Sequence, residues 1–242
     1  MIKGLYEAAT SMFTNAFKQE AIANNLANSG TIGYKKDGIF AEAVSKAEQK
    51  YLPKDYDWEA PIKERHIIDM TQSSFRKTDM PLDLSIEGEG FFTIETENGI
   101  KYTRDGSFRL DPSGALVTAN GDKVLSDSGP IILDTNNPSI DVEGNIETNG
   151  ETLAKIKIVK FNNPENLVKA GNTEFTAPDG IEPQTATDYN VRQGYLEESN
   201  SSALNQMVDM ITSFREFEIK QKMVQILDGV AQRSINNLGN IR

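Results

Sequence analysis

Residues 203–238 read ALNQMVDMITSFREFEIKQKMVQILDGVAQRSINNL, a stretch that has no proline and a single glycine, Gly229. Apolar side chains recur in it at steps of three, four or seven residues, which places them on one face of an α-helix. At a rise of about 1.5 Å per residue, the helix is about 50 Å long. The apolar series comprises Leu204, Met207, Ile211, Phe214, Phe217, Val224, Leu227, Ala231, Ile235 and Leu238. The stretch therefore predicts a long C-terminal helix with an apolar face.

The same stretch carries a second apolar series on another face of the helix. Ile219, Met223, Ile226 and Val230 follow one another at steps of three and four residues. A helix with two apolar faces leaves much of that surface in water when it packs against one neighbour only. We therefore expect the C-terminal helix to need more than one partner.

A helical repeat of the same kind occupies the other end of the chain, residues 2–28. Its apolar positions follow a heptad pattern in which Gln19 is the one polar member, and the pattern stops at Asn28-Ser29-Gly30. The apolar members are Ile2, Leu5, Ala9, Met12, Ala16, Ala23 and Leu26. The two patterns predict terminal helices that pack as a coiled-coil-like pair. The periodicity alone also fits two ordinary core helices of one globular domain.

Between the predicted helices, short apolar runs are separated by regularly placed glycines. Gly99, Gly106, Gly114, Gly121 and Gly129 each follow Asn, Asp or Ser and lie seven or eight residues apart. This spacing is typical of short antiparallel strands joined by tight turns. We therefore predict an α+β fold, in which long N- and C-terminal helices accompany a central, mainly antiparallel β-domain.

The predicted organisation has four parts. Residues 1–36 hold the N-terminal helix and a following motif, residues 37–81 an extended linker with scattered prolines and charges, residues 82–190 the β-rich domain, and residues 191–242 a second motif and the C-terminal helix. The two long helical patterns are thus the two ends of the chain.

Composition argues against several classes of function. The formal net charge is −11 at pH 7; because phosphate binding needs a cationic surface, we expect no nucleic-acid partner. The absence of cysteine excludes disulfides, thiolate metal sites and a nucleophilic thiol. No apolar run approaches the roughly 20 residues that cross a bilayer, so we expect no membrane insertion. We also expect no cleaved secretory signal, because the N-terminus lacks a basic start and an apolar stretch.

Residues that could carry catalysis are few. His66 is the only histidine, so a histidine metal site or a Ser-His-Asp relay would depend on it alone. Asp105, Asp111 and Asp122 occur in turn contexts, where a carboxylate bonds nearby backbone amides. We therefore predict no catalytic, metal-binding or cofactor-binding residue. The alternatives are a carbohydrate-acting enzyme with a carboxylate pair in the β-domain and a cytosolic coiled-coil adaptor.

Three stretches resemble motifs of the flagellar rod, hook and hook-associated family. Residues 23–35, ANNLANSGTIGYK, are similar to its N-terminal motif. Residues 194–200, GYLEESN, followed by MVDMI at 207–211 and REFE at 215–218, resemble its C-terminal motif. Residues 82–92, LDLSIEGEGFF, with YTRDGSF at 102–108, are similar to the opening of the β-domain in longer members. The chain is identified as a member of this family.

The resemblance implies a structural subunit of the bacterial basal-body rod, a periplasmic axial structure that transmits torque. It implies export of the unfolded chain through the flagellar type III apparatus, without signal cleavage. It also implies assembly with copies of itself and with other rod proteins, the terminal helices inside and the β-domain outside. Hook proteins and the ring proteins around the rod are further partners that the resemblance allows. Of the two branches with such a β-domain, FlgF of the proximal rod and FlgG of the distal rod, we favour FlgF because the linker from Asp37 to Pro81 is short and lacks a glycine-rich segment.

We expect assembly contacts at both ends of the chain. The candidates at the N-terminal end are Leu5, Met12, Asn24, Asn25, Leu26, Asn28, Gly33 and Tyr34. Those at the C-terminal end are Asn200, Met207, Ile211, Phe214, Phe217, Val224 and Leu227.

Overall fold

The computed structural model describes residues 2–43, 62–135, 137–148 and 150–239. Two long α-helices, α1 (Ile2–Ala27) and α2 (Ala203–Gly239), lie at the two ends of the chain, as the apolar periodicity predicts. The chain forms two compact units. One contains the terminal helices and most of the first two strands, and the other contains residues 27–36 and 68–202.

Short strands make up most of the chain between the helices. In chain order they are β1 (Asp37–Ala43), β2 (Ile62–Ile68), β3 (Phe75–Lys77), β4 (Leu84–Gly88), β5 (Phe91–Thr96), β6 (Gly99–Thr103), β7 (Arg109–Leu110), β8 (Leu116–Val117), β9 (Lys123–Ser126), β10 (Gly129–Pro130), β11 (Ser139–Ile140), β12 (Asn145–Thr148), β13 (Glu151–Lys155), β14 (Ile158–Lys160), β15 (Val168–Lys169), β16 (Glu174–Thr176), β17 (Gln184–Thr185), β18 (Tyr189–Gln193) and β19 (Tyr195–Glu197). A single 3₁₀ turn, Pro164–Asn166, interrupts the described strands of this region.

The largest sheet has the strand order β15-β16-β6-β5-β9-β8-β7, with β10 beside β9, β14 beside β5 and β17 beside β14. Smaller sheets pair β11-β12-β13, β18 with β4, β19 with β3, and β1 with β2. The described ladders of the second unit are antiparallel. Gly99, in the turn from β5 to β6, has a φ of 106°, a conformation that favours glycine. The regular glycines therefore mark turns between antiparallel strands, as predicted, but the strand order is not the simple meander that their spacing indicates, because β5 lies beside β9 and β6 beside β16.

The β-rich unit has two apolar cores, which meet at strand β5. Successive side chains of a strand point to opposite faces, so Phe91 and Phe92 enter different cores. Phe92 packs with Phe108 in the larger core, at a ring-centroid distance of 5.1 Å. Phe91 packs edge-on against Phe161 and Phe175 in the smaller one, at 5.9 and 5.8 Å. Strand β5 thus stabilises both halves of the unit.

The predicted coiled-coil-like pairing of the terminal helices is wrong. A coiled coil needs apolar side chains at the facing positions, whereas polar Asn15 of α1 and Ser213 of α2 are bonded to each other and are 2% and 0% exposed. Ile211, which a coiled-coil pair would bury between the helices, is 54% exposed, and Met207 and Phe214 of the same apolar series are 50 and 53% exposed. The two helices are present, and the apolar stripe of the first half of α2 faces away from the contact.

The region predicted as a linker, residues 37–81, contains strands β1, β2 and β3. Residues 44–61 of that region lie outside the described part of the chain. The β-rich unit, residues 27–36 and 68–202, extends beyond the predicted bounds 82–190 on both sides. Strands β3 and β19, and most of β18, lie in these extensions.

Candidate assembly site

The end of α1 is tied to the first strand by Asn25. Its Nδ2 donates to the backbone oxygen of Asp37 at 2.7 Å, and its Oδ1 accepts from the Asp37 amide at 2.8 Å. The side chain thus pairs with the backbone of Asp37 as a neighbouring strand would. Asn28 bonds through its own backbone oxygen and Oδ1 to Thr31, in a turn that follows the helix. These asparagines determine how the chain leaves α1.

Gly33, in the N-terminal motif, lies close to the backbone of Arg104 and Asp105 within the β-rich unit. Its φ is +68°, and a Cβ built on it would lie 2.4 Å from the Asp105 backbone nitrogen. The Gly33 amide donates to the backbone oxygen of Glu197 at 2.8 Å. A side chain at this position would therefore be strained and would separate the motif from its neighbours.

The next motif residues are held by both backbone and side-chain contacts. Tyr34 is buried, and the Lys169 Nζ lies 4.2 Å from its ring centroid while donating to the Lys35 backbone oxygen at 2.6 Å. Asn200, in the C-terminal motif, accepts from the Lys36 amide at 2.7 Å and donates to the Asp69 backbone oxygen at 2.7 Å. Asn200 thus joins the N-terminal motif to the chain that follows β2.

Three buried charges form the centre of this region. The Lys35 Nζ lies 2.6 Å from Glu197 Oε1, and the Arg104 Nη1 lies 3.4 Å from Glu197 Oε2. The side chains of Lys35 and Glu197 are 1% and 0% exposed, and that of Arg104 is 7% exposed. Each of the three family-like motifs contributes one member, so this charge cluster brings all three motifs together.

Backbone oxygens accept further hydrogen bonds from the two cations of the cluster, although the buried Nε of Arg104 has no hydrogen-bond partner among the described residues. Lys35 also donates to the Thr71 oxygen at 2.8 Å, and Arg104 donates to the oxygens of Ile86 and Gly88 at 3.2 and 2.9 Å. Burial lowers the pKa of Lys35, and the attraction of Glu197 opposes that shift. Burial likewise lowers the pKa of Arg104 from its usual high value. Because charges buried in pairs depend on each other, removing one of them is costly.

The predicted assembly residues differ in burial. Asn25, Gly33 and Tyr34 are buried, and Asn200 is half-buried, in contacts within the chain. Met207, Ile211 and Phe214 are exposed on α2, and Asn24 is exposed on α1. The other half-buried members are Met12, Leu26, Asn28, Phe217, Val224 and Leu227. The side chain of Leu5 lies outside the described part of the chain.

Exposed apolar side chains cover a broad face of α2, on the side opposite Ser213. We call this set the outer apolar face; it comprises Leu204, Met207, Val208, Ile211, Phe214, Ile219, Met223, Ile226 and Val230, which are 42 to 71% exposed. On α1, Phe13 and Phe17 are 69 and 41% exposed. Exposed apolar patches of this extent mark interaction sites.

Neither apolar periodicity nor glycine spacing predicts a role for Lys35, Arg104 or Glu197. All three residues lie within the quoted motifs. A charged residue inside an otherwise apolar or glycine-containing motif was the one feature of the sequence that could have indicated their role. Their partners could not be read from periodicity, because Lys35 and Glu197 are 162 positions apart in the sequence.

The acidic residues of the turns bond nearby groups. Asp105 Oδ1 accepts from the amide and hydroxyl of Ser107, and Asp111 Oδ1 accepts from the amides of Ser113 and Ala115. Asp122 accepts from the Thr118 hydroxyl. Within the described ranges no group of three metal-binding side chains occurs, and no described helix is long and apolar enough to cross a membrane. The side chain of His66 lies outside the described part of the chain.

Comparison with known proteins identifies the family. Residues 85–153 match the flagellar hook protein FlgE/F/G D1 domain, and residues 192–238 match the C-terminal domain of flagellar basal body rod FlgEFG proteins. The chain is 29% identical to the basal-body rod protein FlgF of Mesorhizobium japonicum over 245 residues, 99% of each chain.

Relatives of the FlgG branch are as similar to the chain as the FlgF relative is. The rod protein FlgG of Bacillus subtilis is 30% identical over 266 residues, 98% of this chain and 99% of the relative. The rod protein FlgG of Borreliella burgdorferi is 34% identical over 255 residues, 95% of this chain and 96% of the relative. Because these similarities run through almost the whole of both chains, including the segments that meet at the charge cluster, the chain belongs to the family of flagellar basal-body rod proteins and is a structural subunit of that rod.

Proposed function

We propose that this rod subunit occupies the proximal rod, as a member of the FlgF branch. The FlgF relatives of Mesorhizobium japonicum and Caulobacter vibrioides align over 245 and 250 residues, close to the 242 residues of this chain. The FlgG relatives of Bacillus subtilis and Borreliella burgdorferi align over 266 and 255 residues while covering slightly less of this chain. The FlgG relatives therefore carry segments that have no counterpart here, which favours FlgF.

The subunit acts by packing and not by chemistry. The outer apolar face of α2 is the observation that carries this mechanism, because burying apolar surface contributes about 25 cal/mol per Å². Neighbouring copies of the chain and other rod proteins cover this face, together with Phe13 and Phe17 of α1. Repeated contacts between unlike surfaces extend an assembly along an axis instead of closing it. Torque then passes from one subunit to the next through these helix contacts.

The β-rich unit forms the outer part of each subunit in this proposal. Hook proteins and the rings around the rod are the partners it would meet there, and its surplus of acidic residues suits a solvated exterior. Before assembly the chain leaves the cytosol unfolded, through the flagellar type III apparatus. The charge cluster forms only afterwards, because Lys35, Arg104 and Glu197 come from distant parts of the chain.

Labelling tests the position of the subunit. A gold-binding tag inserted between Asp179 and Gly180, in an exposed turn of the β-rich unit, is imaged in isolated basal bodies of motile cells. We expect label at one level near the cell-proximal end of the rod. Label along the distal rod would assign the chain to the FlgG position instead. Tagged protein that stays in the cytosol of cells with complete rods would contradict the proposal.

A further inference from the structure

Asn15 of α1 and Ser213 of α2 form a reciprocal pair of hydrogen bonds between the two helices. Asn15 Nδ2 donates to the Ser213 backbone oxygen at 3.0 Å, and the Ser213 hydroxyl donates to Asn15 Oδ1 at 2.9 Å. The side-chain amide of Asn15 therefore uses both its oxygen and its nitrogen on one residue. Both residues are buried, so neither hydrogen bond can be replaced by water without opening the contact.

Two further polar contacts join the helices. Lys220 Nζ donates to the Ser11 backbone oxygen at 3.2 Å. Lys18 Nζ lies 3.9 Å from Glu216 Oε2, and the side chains of Lys18 and Glu216 are about half exposed. Ser11 lies before Asn15 in α1, and Lys220 lies after Ser213 in α2. The two helices therefore run in opposite directions along this contact.

The buried pair differs from these outer contacts in its dependence on register. Long side chains such as those of Lys18, which is exposed, and Lys220, which is half-buried, can reach new partners when one helix slides along the other. Asn15 and Ser213 cannot, because they are short and buried. A slide of one heptad would place Ser213 opposite Ile22 or Ala8, neither of which has a hydrogen-bonding side chain. Buried polar residues of this kind set the register of paired helices in other systems.

We propose that the Asn15–Ser213 pair fixes the register of α1 against α2. The two residues are positioning residues: they set which level of α2 stands beside each turn of α1, and hence where the outer apolar face lies relative to Phe13 and Phe17. The proposal concerns the pairing of helices within one chain. It holds whether the subunit takes the FlgF or the FlgG position.

Chemical cross-linking measures the register directly, because the chain has no cysteine of its own. In the full-length protein, the cysteine pair S11C with K220C reports the observed register. The pairs S11C with L227C and S11C with M210C report slides of one heptad in the two directions. A short bismaleimide is applied to each pair, and the ratio of in-register to slipped product is determined by gel and mass spectrometry.

The backgrounds compared are the natural sequence, N15L with S213A, and T212A as a control. Thr212 is exposed and its hydroxyl bonds the Val208 oxygen of the same helix, so T212A leaves the contact between the helices unchanged. We expect the natural sequence and T212A to favour the in-register product. In N15L with S213A the ratio should fall about tenfold, since losing a satisfied buried polar pair changes an equilibrium by about that factor.

A swapped variant keeps the test decisive if the apolar variant does not fold. N15S with S213N restores an amide opposite a hydroxyl and should recover most of the natural ratio, whereas N15S alone should not. An unchanged ratio in N15L with S213A would overturn the proposal, as would a natural sequence that shows no preference for the in-register pair. Equal ratios in N15S with S213N and in N15S alone would also overturn it.

Discussion

The charged groups of Lys35 and Glu197 lie 2.6 Å apart although the two residues are 162 positions apart in the sequence, and both side chains are buried. Glu197 also faces Arg104, so one carboxylate compensates two cations. The N-terminal motif, the start of the β-domain and the C-terminal motif thus depend on a single acidic side chain. This dependence makes Glu197 a sensitive point of the β-rich unit.

Replacing Glu197 by glutamine should destabilise the protein strongly. E197Q leaves Lys35 and Arg104 buried without an anion, and breaking a buried charge pair costs about 3–5 kcal/mol. Denaturant unfolding of the full-length chain measures the change. E198Q is the matched control, because Glu198 bonds only the exposed hydroxyl of Ser74 among the described side chains. Equal unfolding midpoints for E197Q and E198Q would contradict a structural role for the cluster.

Gly33 and Gly30 offer a second matched comparison. G33A should lower the free energy of unfolding by about 2 kcal/mol or more, because it combines a positive φ with a close backbone contact. G30A should change it by less than about 0.5 kcal/mol, since a Cβ at Gly30 has no atom within 4 Å. Thermal unfolding of both variants measures the two changes in stability. A G33A protein as stable as G30A would show that the motif does not pack as described.

The contributions of Asp105 and Asp111 to the stability of the folded protein should change with pH in opposite directions. Burial raises the pKa of Asp105 above its ordinary value of 3.8, so the folded protein loses stability as pH rises from 3.8 through that raised pKa. Hydrogen bonds from Ser113 lower the pKa of Asp111 below 3.8. Its contribution to stability is therefore present above pH 3.8 and is lost as pH falls through the lowered value.

The asparagine variants separate these two cases. D105N keeps an oxygen acceptor for Ser107 and should be more stable than the natural protein at pH 7, with the difference vanishing near pH 3. D111N should be less stable at pH 7 and equal to the natural protein once Asp111 is protonated. Melting temperatures between pH 3 and pH 7 test both. The same sign of change at pH 7 for the two variants would refute this account.

Local patterns in the sequence predict the elements of the fold but not all of their contacts. The three- and four-residue steps of α1 and α2 predict long helices, and glycines such as Gly99 and Gly121 mark the turns between strands. Periodicity could not show which face of α2 meets α1, because the helix has apolar residues on several faces and the actual contact uses Asn15 and Ser213. Nor could it pair Lys35 with Glu197, since such contacts depend on the complete fold.

The most direct test of the assembly mechanism is the incorporation of I211D into basal bodies. Ile211 is 54% exposed, so a charge there should cost the isolated subunit little, within about 0.5 kcal/mol. It should prevent burial of the outer apolar face against a neighbour, because an unpaired charge is costly to bury. Gln221 is exposed on the same helix, and Q221D introduces the same charge away from Ile211. We expect I211D to be exported and folded but absent from isolated basal bodies, in non-motile cells, while Q221D is incorporated normally. Motile cells whose rods contain I211D at the natural level would contradict the central claim.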